Sequence, residues 1–109
     1  MANFVQTDES IRYGTQISAQ VGGKHFLIDT SRNGNGPISA AAICNPRGRA
    51  LGNLPTTTTG NVLVDALLWV KVPGESDGVC NGGPPTGAWW ADYALELARN
   101  QPQAFLGAP

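Results

Sequence analysis

The fold is decided by a short apolar run, Lys24-His25-Phe26-Leu27-Ile28-Asp29. Two glycines precede this run and turn-forming residues follow it. Its apolar side chains are consecutive, which is typical of a strand buried on both faces of a parallel sheet. A second apolar run covers residues 62–71 and predicts another strand at 66–71. The sequence therefore predicts two buried strands in a parallel sheet.

Two helices are predicted around these strands. Residues 8–21 follow Thr7, whose hydroxyl is suited to cap a helix start, and Gly22-Gly23 are suited to end it. Residues 88–99 carry apolar side chains at the i, i+3, i+4, i+7 spacing of an amphipathic helix. Those side chains are Trp90, Tyr93, Ala94 and Leu97. The predicted order is helix, strand, long loop, strand, long loop, helix.

This order indicates part of a parallel α/β barrel. Each predicted strand ends in a polar residue, Asp29 or Lys71, and a long loop follows at 30–61 or 72–86. In such barrels the loops after the strands build the functional site. Two strands cannot close a barrel or pair their own edges. We therefore expect residues 1–109 to be one incomplete α/β domain.

Composition argues against several classes of function. The chain has 109 residues, with seven Lys and Arg, eight Asp and Glu, and a net charge of −1. Without a basic cluster, neither a nucleic-acid-binding surface nor a polybasic membrane anchor is predicted. No apolar stretch approaches the ~20 residues that span a bilayer, and the first residues do not resemble a signal peptide. One histidine and no Cys-x-x-Cys pair make a metal site unexpected.

The two cysteines, Cys44 and Cys80, allow two interpretations from the residues alone. They form a disulfide in a secreted protein, or they are unrelated thiols. A disulfide would close a loop of about 36 residues and stabilise the fold by roughly 4 kcal/mol on the chain-entropy model.

The densest group of reactive side chains lies in Lys71-Val72-Pro73-Gly74-Glu75-Ser76-Asp77-Gly78. One cation and two carboxylates lie within seven residues, directly after a predicted strand. A carboxylate near a cation keeps a low pKa, and it can act as a base or accept hydrogen bonds from sugar hydroxyls. The alternative is a solvated polar turn, because Pro-Gly and Asp-Gly pairs favour turns.

Other polar and aromatic residues have competing roles. Arg32 follows the first predicted strand and is either a forked donor to a carboxylate or sugar hydroxyl, or a surface arginine. Asp29 is expected to anchor a loop by accepting hydrogen bonds from backbone N–H groups. Trp89 and Trp90 could stack on a sugar ring, but Trp90 shares the apolar helix face, which favours core packing.

Four ordered segments carry a resemblance to a known family. They are residues 25–37 (HFLIDTSRNGNGP), 44–52 (CNPRGRALG), 64–78 (VDALLWVK, then PGESDG from residue 73) and 89–98 (WWADYALELA). Together they resemble the last two strands, their loops and the closing helix of glycoside hydrolase family 6. Members of this family are endoglucanases and cellobiohydrolases that cleave β-1,4-glucan. The resemblance implies the C-terminal portion of a distorted, TIM-like barrel of the seven-stranded type.

The resemblance also implies roles for individual residues. Asp77 matches the proposed catalytic base of an inverting mechanism, and Arg32 matches an arginine that interacts with the catalytic carboxylates. Lys71 and Glu75 match residues that hydrogen-bond the glucosyl units just before the scissile bond. No cofactor is implied, and the expected partner is β-1,4-glucan (cellulose or cello-oligosaccharides).

Three further expectations follow from the resemblance. Cys44 and Cys80 match a disulfide between two long loops, in a parent enzyme that is secreted. The family's general acid lies on earlier strands that this chain lacks, so the isolated chain is expected to have no appreciable glucanase activity. Ile43 stands where the family usually has a tryptophan that stacks on glucose, and isoleucine has no π face to offer.

Two other functions stay open at this point. One is a non-catalytic β-glucan-binding remnant that keeps Arg32, Lys71 and Glu75 but has no general acid. The other is an unrelated, small interaction domain stapled by a disulfide. Only the enzyme and the remnant require Arg32 and Asp77 to converge in space.

Overall fold

The computed structural model describes residues 3–36 and 43–105. The elements in these ranges are α1 (Thr7–Gln20), β1 (Phe26–Asp29), β2 (Val64–Leu68) and α2 (Ala91–Arg99), with short 3-10 turns at Cys80–Gly82 and Gln103–Phe105. The two strands pair in parallel. The predicted α/β order, with two helices and long loops, is therefore confirmed in this part of the chain. None of the helices described is both long enough and apolar enough to cross a membrane.

The second strand ends earlier than the sequence predicted. We expected a strand at 66–71, but β2 begins two residues earlier, at Val64, and ends at Leu68, the partner of Asp29 at the end of β1. The N–H of Lys71 donates instead to Asp29 Oδ2, at 3.0 Å. Lys71 therefore lies in the turn after β2, because the ladder has no further partner in β1.

A hydrophobic core cluster lies between α1 and the sheet. Its buried side chains are Ile28, Val64 and Leu67, with Ile11 and Phe26 packed against them. Gly14 of α1 lies against the ring of Phe26, and a Cβ at position 14 would overlap that ring. The glycine thus allows the helix to approach β1 closely.

The start of α1 differs in detail from the prediction. Thr7 is the first helical residue, and Gln6 occupies the N-cap position without a capping side-chain bond. The Thr7 hydroxyl instead donates to Asn53 Oδ1 at 3.0 Å, so it ties the helix to a distant loop. The predicted end is confirmed, because Gly22-Gly23 adopt the left-handed backbone (φ +79°) that ends helices.

One apolar surface between α1 and β1 is open. Ile17 of α1, Val21 directly after α1 and Leu27 of β1 are exposed, so the prediction that β1 is buried on both faces is wrong within the described ranges. With Tyr13 and Phe26 they line a groove of about 260 Å³. In the described ranges β1 pairs with β2 along one side only. The apolar stripe of α1 is therefore only partly covered within this chain.

The second helix begins three residues later than predicted, at Ala91 rather than 88. Trp89 forms an antiparallel bridge with Glu75, which keeps the backbone before the helix extended. Trp90 is half-buried and stacks on the buried Tyr93, with ring centroids 5.1 Å apart. The core-packing prediction for Trp90 is confirmed, whereas Trp89 is exposed.

Candidate active site

Two cations converge on the carboxylate of Asp77. Arg32 Nη1 donates to Asp77 Oδ2 at 2.7 Å, and Lys71 Nζ lies 3.0 Å from Asp77 Oδ1. The side chains of Arg32, Asp77 and Lys71 are 4%, 18% and 19% exposed. Arg32 and Asp77 are 45 residues apart in sequence, so the tertiary fold brings them together. This convergence is what the enzyme and remnant hypotheses require.

Asp29 aligns the two turns that carry these cations. Its Oδ1 accepts the N–H of Ser31 at 2.9 Å, and its Oδ2 accepts the N–H of Lys71 at 3.0 Å. One carboxylate thus joins the turn after β1 to the turn after β2. The predicted role of Asp29 as a loop-anchoring acid is confirmed.

Arg32 is a buried arginine held on several sides. Its Nε donates to Asn3 Oδ1 at 2.8 Å, and its guanidinium carbon lies 5.8 Å from the ring centroid of Phe4. Its Nη1 also lies 3.4 Å from the hydroxyl of Tyr93. The surface-arginine alternative is therefore wrong. A buried guanidinium needs such partners because removing it from water is costly.

Asn45 contacts Asp77 and was missed by the sequence analysis. The N–H of Asn45 donates to Asp77 Oδ2 at 2.8 Å, and the N–H of Asp77 donates to Asn45 Oδ1 at 2.8 Å. The only signal in the sequence was its place between Cys44 and Pro46, where an asparagine indicates a turn. That signal does not reveal a partner 32 residues away.

These contacts favour the ionised form of Asp77. Burial alone would raise the pKa of this carboxyl group. Hydrogen bonds from Arg32, the Asn45 N–H and Lys71 outweigh burial, so the pKa lies below its ordinary value. An ionised carboxylate near neutral pH can accept a proton from water, as a general base must.

Glu75 lies beside this cluster but outside it. Its backbone N–H donates to the carbonyl of Val72 at 3.1 Å. In the described ranges its side chain forms no ion pair with Arg32 or Lys71. The structure therefore brings Arg32, Lys71 and Asp77 together, with Glu75 two residues before Asp77 on the same loop.

Cys44 and Cys80 form the disulfide that the resemblance implied, with Cα atoms 6.1 Å apart. The alternative of two unrelated thiols is wrong. The bridge joins the segment that carries Asn45 to the loop that follows Asp77. Ile43, directly before the bridge, is exposed, and the lost stacking predicted there stays a prediction.

The chemistry of this cluster rests on one carboxylate and two cations. Among the residues that the structure describes, no group of three or more His, Cys, Asp or Glu side chains could hold a metal ion. The arrangement can orient a water molecule against an anion and can offer charged donors to hydroxyl groups.

Comparison with known proteins assigns the chain to a family. The family model described as "Glycosyl hydrolases family 6" matches residues 2–101. The chain belongs to this family. It is 60% identical to endoglucanase A of Cellulomonas fimi over 99 residues, which are 91% of this chain and 22% of that protein. It is 36% identical to the probable 1,4-beta-D-glucan cellobiohydrolase C of Aspergillus niger over 109 residues, covering 82% of this chain and 24% of that protein.

Solved structures of family 6 enzymes resemble the chain in fold. The endoglucanase Cel6 of Mycobacterium tuberculosis, solved with a thio-linked cello-oligosaccharide derivative, matches with a TM-score of 0.84 and 53% identity. The match covers 89% of this chain and 34% of that one. A family 6 enzyme of Orpinomyces sp. Y102 matches with a TM-score of 0.76 and 35% identity, covering 92% of this chain and 37% of that one.

This family 6 chain spans 22–24% of the length of the two curated relatives above. The family resemblance drawn from the four sequence segments is confirmed. The hypothesis of an unrelated interaction domain is wrong, since both the sequence and the fold match one family.

We expect the contribution of Asp77 to stability to vanish at low pH. Its pKa is lower in the folded state than in the unfolded chain, so folding favours the ionised form. The contribution is complete above the unfolded pKa of about 3.9 and disappears as pH falls through the folded value. The test compares the melting temperatures of the wild-type protein and its Asp77→Asn variant from neutral to strongly acidic pH. The difference between the two melting temperatures should narrow as pH falls, and a constant difference would contradict the prediction.

Proposed function

We propose that this chain is the C-terminal part of a family 6 catalytic domain, within a longer parent protein that hydrolyses β-1,4-glucosidic bonds in cellulose by inversion. The observation that carries the proposal is the partly buried carboxylate of Asp77 between Arg32 and Lys71. The cluster lies where the loops after two parallel strands meet, which is the position of active sites in parallel barrels. The proposal needs no cofactor.

Asp77 is the base-side carboxylate in this proposal. An inverting glycosidase uses one carboxylate to activate water and a protonated acid, about 6.5–9.5 Å away, to donate to the leaving oxygen. An acid needs a raised pKa, whereas the neighbours of Asp77 lower its pKa. Asp77 therefore fits the base side and not the acid side.

The hydrogen bonds of Asp77 leave room for the attacking water. A carboxylate offers roughly four acceptor positions, two on each oxygen. Oδ2 accepts from Arg32 and from the N–H of Asn45, and Oδ1 lies against Lys71. In the described part of the chain this leaves one acceptor position on Oδ1. We assign the attacking water to it.

Lys71 and Glu75 are the proposed contacts to the glucosyl units before the scissile bond. An ammonium group has three donors, and Lys71 directs one of them to Asp77. The other two can donate to sugar hydroxyls, and the Glu75 carboxylate can accept from them. Ile43 would offer apolar contact, but no aromatic face, to a glucose ring.

The general acid is assigned to the rest of the parent protein. Asp29 does not suit this role, because both of its oxygens accept backbone N–H groups. Within the described ranges one side of β1 has no strand partner, and this edge together with the apolar groove beside α1 supports a preceding strand and helix packed there. The Cys44–Cys80 disulfide supports secretion of the parent protein, since disulfides persist in oxidising compartments.

The test compares the parent protein with the isolated chain on a cello-oligosaccharide, followed by proton NMR. We expect the parent to release a product that is initially the α-anomer, because inversion converts a β-linkage into an α-hemiacetal. We expect no hydrolysis by the isolated chain, which lacks the acid. An initial β-anomer would contradict inversion. Glucan binding by the parent without hydrolysis would favour the non-catalytic remnant instead.

A further inference from the structure

The side chain of Asn45 is hydrogen-bonded to the backbone of the Asp77 loop. Its Oδ1 accepts the N–H of Asp77 at 2.8 Å. Its Nδ2 donates to the carbonyl oxygens of Gly78, at 2.8 Å, and Cys80, at 3.0 Å. Asn45 is fully buried. A buried amide with satisfied donors and acceptor holds its partners in one arrangement, because any displacement leaves polar groups unpaired.

The backbone of Asn45 contacts the carboxylate itself. Asn45 has φ +46°, in the left-handed region that asparagine and glycine tolerate best. In this conformation its N–H donates to Asp77 Oδ2 at 2.8 Å. One residue therefore holds the Asp77 carboxylate through its main chain and the Asp77 backbone through its side chain.

The two cations do not provide this control. In the described ranges Arg32 and Lys71 reach Asp77 only at its carboxylate oxygens, so they supply charge to the side chain and form no hydrogen bond with the Asp77 backbone. The disulfide adds a second constraint, because Cys44 precedes Asn45 and is bonded to Cys80, whose carbonyl accepts from Asn45. The bridge thus holds the segment that carries Asn45 close to the Cys80 carbonyl that accepts its hydrogen bond.

We propose that Asn45 is the positioning residue for the base-side carboxylate, and that the Cys44–Cys80 bridge holds Asn45 in place. This inference rests on the proposed function and extends it from the Asp77 carboxylate to the residue that holds it. Asn45 acts through Asp77, whose carboxylate it aims at the attacking water. It needs no contact with the substrate.

The test is the Asn45→Gly variant of the parent protein. Glycine accepts a positive φ, so the backbone conformation is retained while the amide bonds are lost. We expect kcat to fall about tenfold to a hundredfold with KM little changed, because a reacting group displaced by about 1 Å loses that much rate. The acid limb of the kcat/KM profile should move to higher pH, because an Asp77 loop freed from the amide no longer keeps the carboxylate at hydrogen-bond distance from Arg32 and the residue-45 N–H, which favour its charged form.

Asn81→Gly is the matched control. Asn81 also has a positive φ, of 51°, and its Nδ2 donates across the same disulfide to the Cys44 carbonyl at 2.8 Å. In the described ranges Asn81 makes no hydrogen bond to Asp77. We expect its acid limb and kcat to match the wild type. An equal shift of the acid limb in both glycine variants would indicate general loosening of the loops and would overturn the proposal.

Asn45→Asp keeps the test decisive if the glycine variant does not fold. Aspartate has the same shape, but it cannot donate to the carbonyls of Gly78 and Cys80, and it places a negative charge beside Asp77. The acid limb of the kcat/KM profile should therefore move to higher pH here as well. An unchanged acid limb in every Asn45 variant that folds would overturn the inference. A wild-type rate in Asp77→Ala would instead overturn the proposed function, so the two failures are distinguishable.

Discussion

Replacing Asp77 by alanine in the parent protein is expected to lower kcat by about a hundredfold to ten-thousandfold, the range typical of a general base. KM should change little, because the carboxylate acts on water and not on the sugar that stays bound. The substitution also leaves the buried Arg32 without its anionic partner. Initial rates of cello-oligosaccharide hydrolysis measure the effect.

A second substitution separates loss of the base from loss of the fold. Asp77→Asn keeps the shape of the side chain, and it should be about as inactive as the alanine variant while it melts cooperatively. The matched control is Asp65→Asn, since Asp65 pairs with His25 at 2.7 Å on the surface, outside the cluster. Its rate should equal the wild type. A near-wild-type rate in Asp77→Asn would remove Asp77 from the base role.

Breaking the Cys44–Cys80 bridge is expected to cost the parent protein roughly 4 kcal/mol of stability on the chain-entropy model, because the bridge closes a loop with a separation of 36 residues. The catalytic rate should fall as well, since the bridge holds Asn45 against the Asp77 loop. Melting temperature and hydrolysis rate, measured with and without reductant, test both effects.

The control for reduction is a variant with no bridge to reduce. In Cys44→Ser combined with Cys80→Ser, the reductant should change neither the melting temperature nor the rate. The untreated variant should behave like the reduced wild type. A wild-type protein that melts at the same temperature with and without reductant would show that the bridge contributes no stability.

Local patterns in the sequence were sufficient for the type and order of the main helices and strands and for the family, but not for the exact ends of these elements. The consecutive apolar side chains of residues 26–28 predict a strand of a parallel sheet, and the structure pairs this strand in parallel with β2, with Ile28 buried and Leu27 exposed. The helix-ending glycines at 22–23 and the bond from the Ser31 N–H to Asp29 also follow from chemistry within a few residues. The segment around Asp77 was recognisable because its side chains are close together in the sequence.

The partners of those side chains were decided by the tertiary structure alone. The pKa of Asp77 lies below its ordinary value because Arg32 and Asn45 reach it from segments 45 and 32 residues away, and contacts over such separations leave no periodic signal. The end of β2 was likewise set by the length of β1, which no pattern within β2 encodes. Side-chain spacing therefore predicts where helices and strands form and where charged side chains cluster in the sequence. Only the three-dimensional path of the loops determines which of them meet, because the loops follow individual hydrogen bonds and not a repeating geometry.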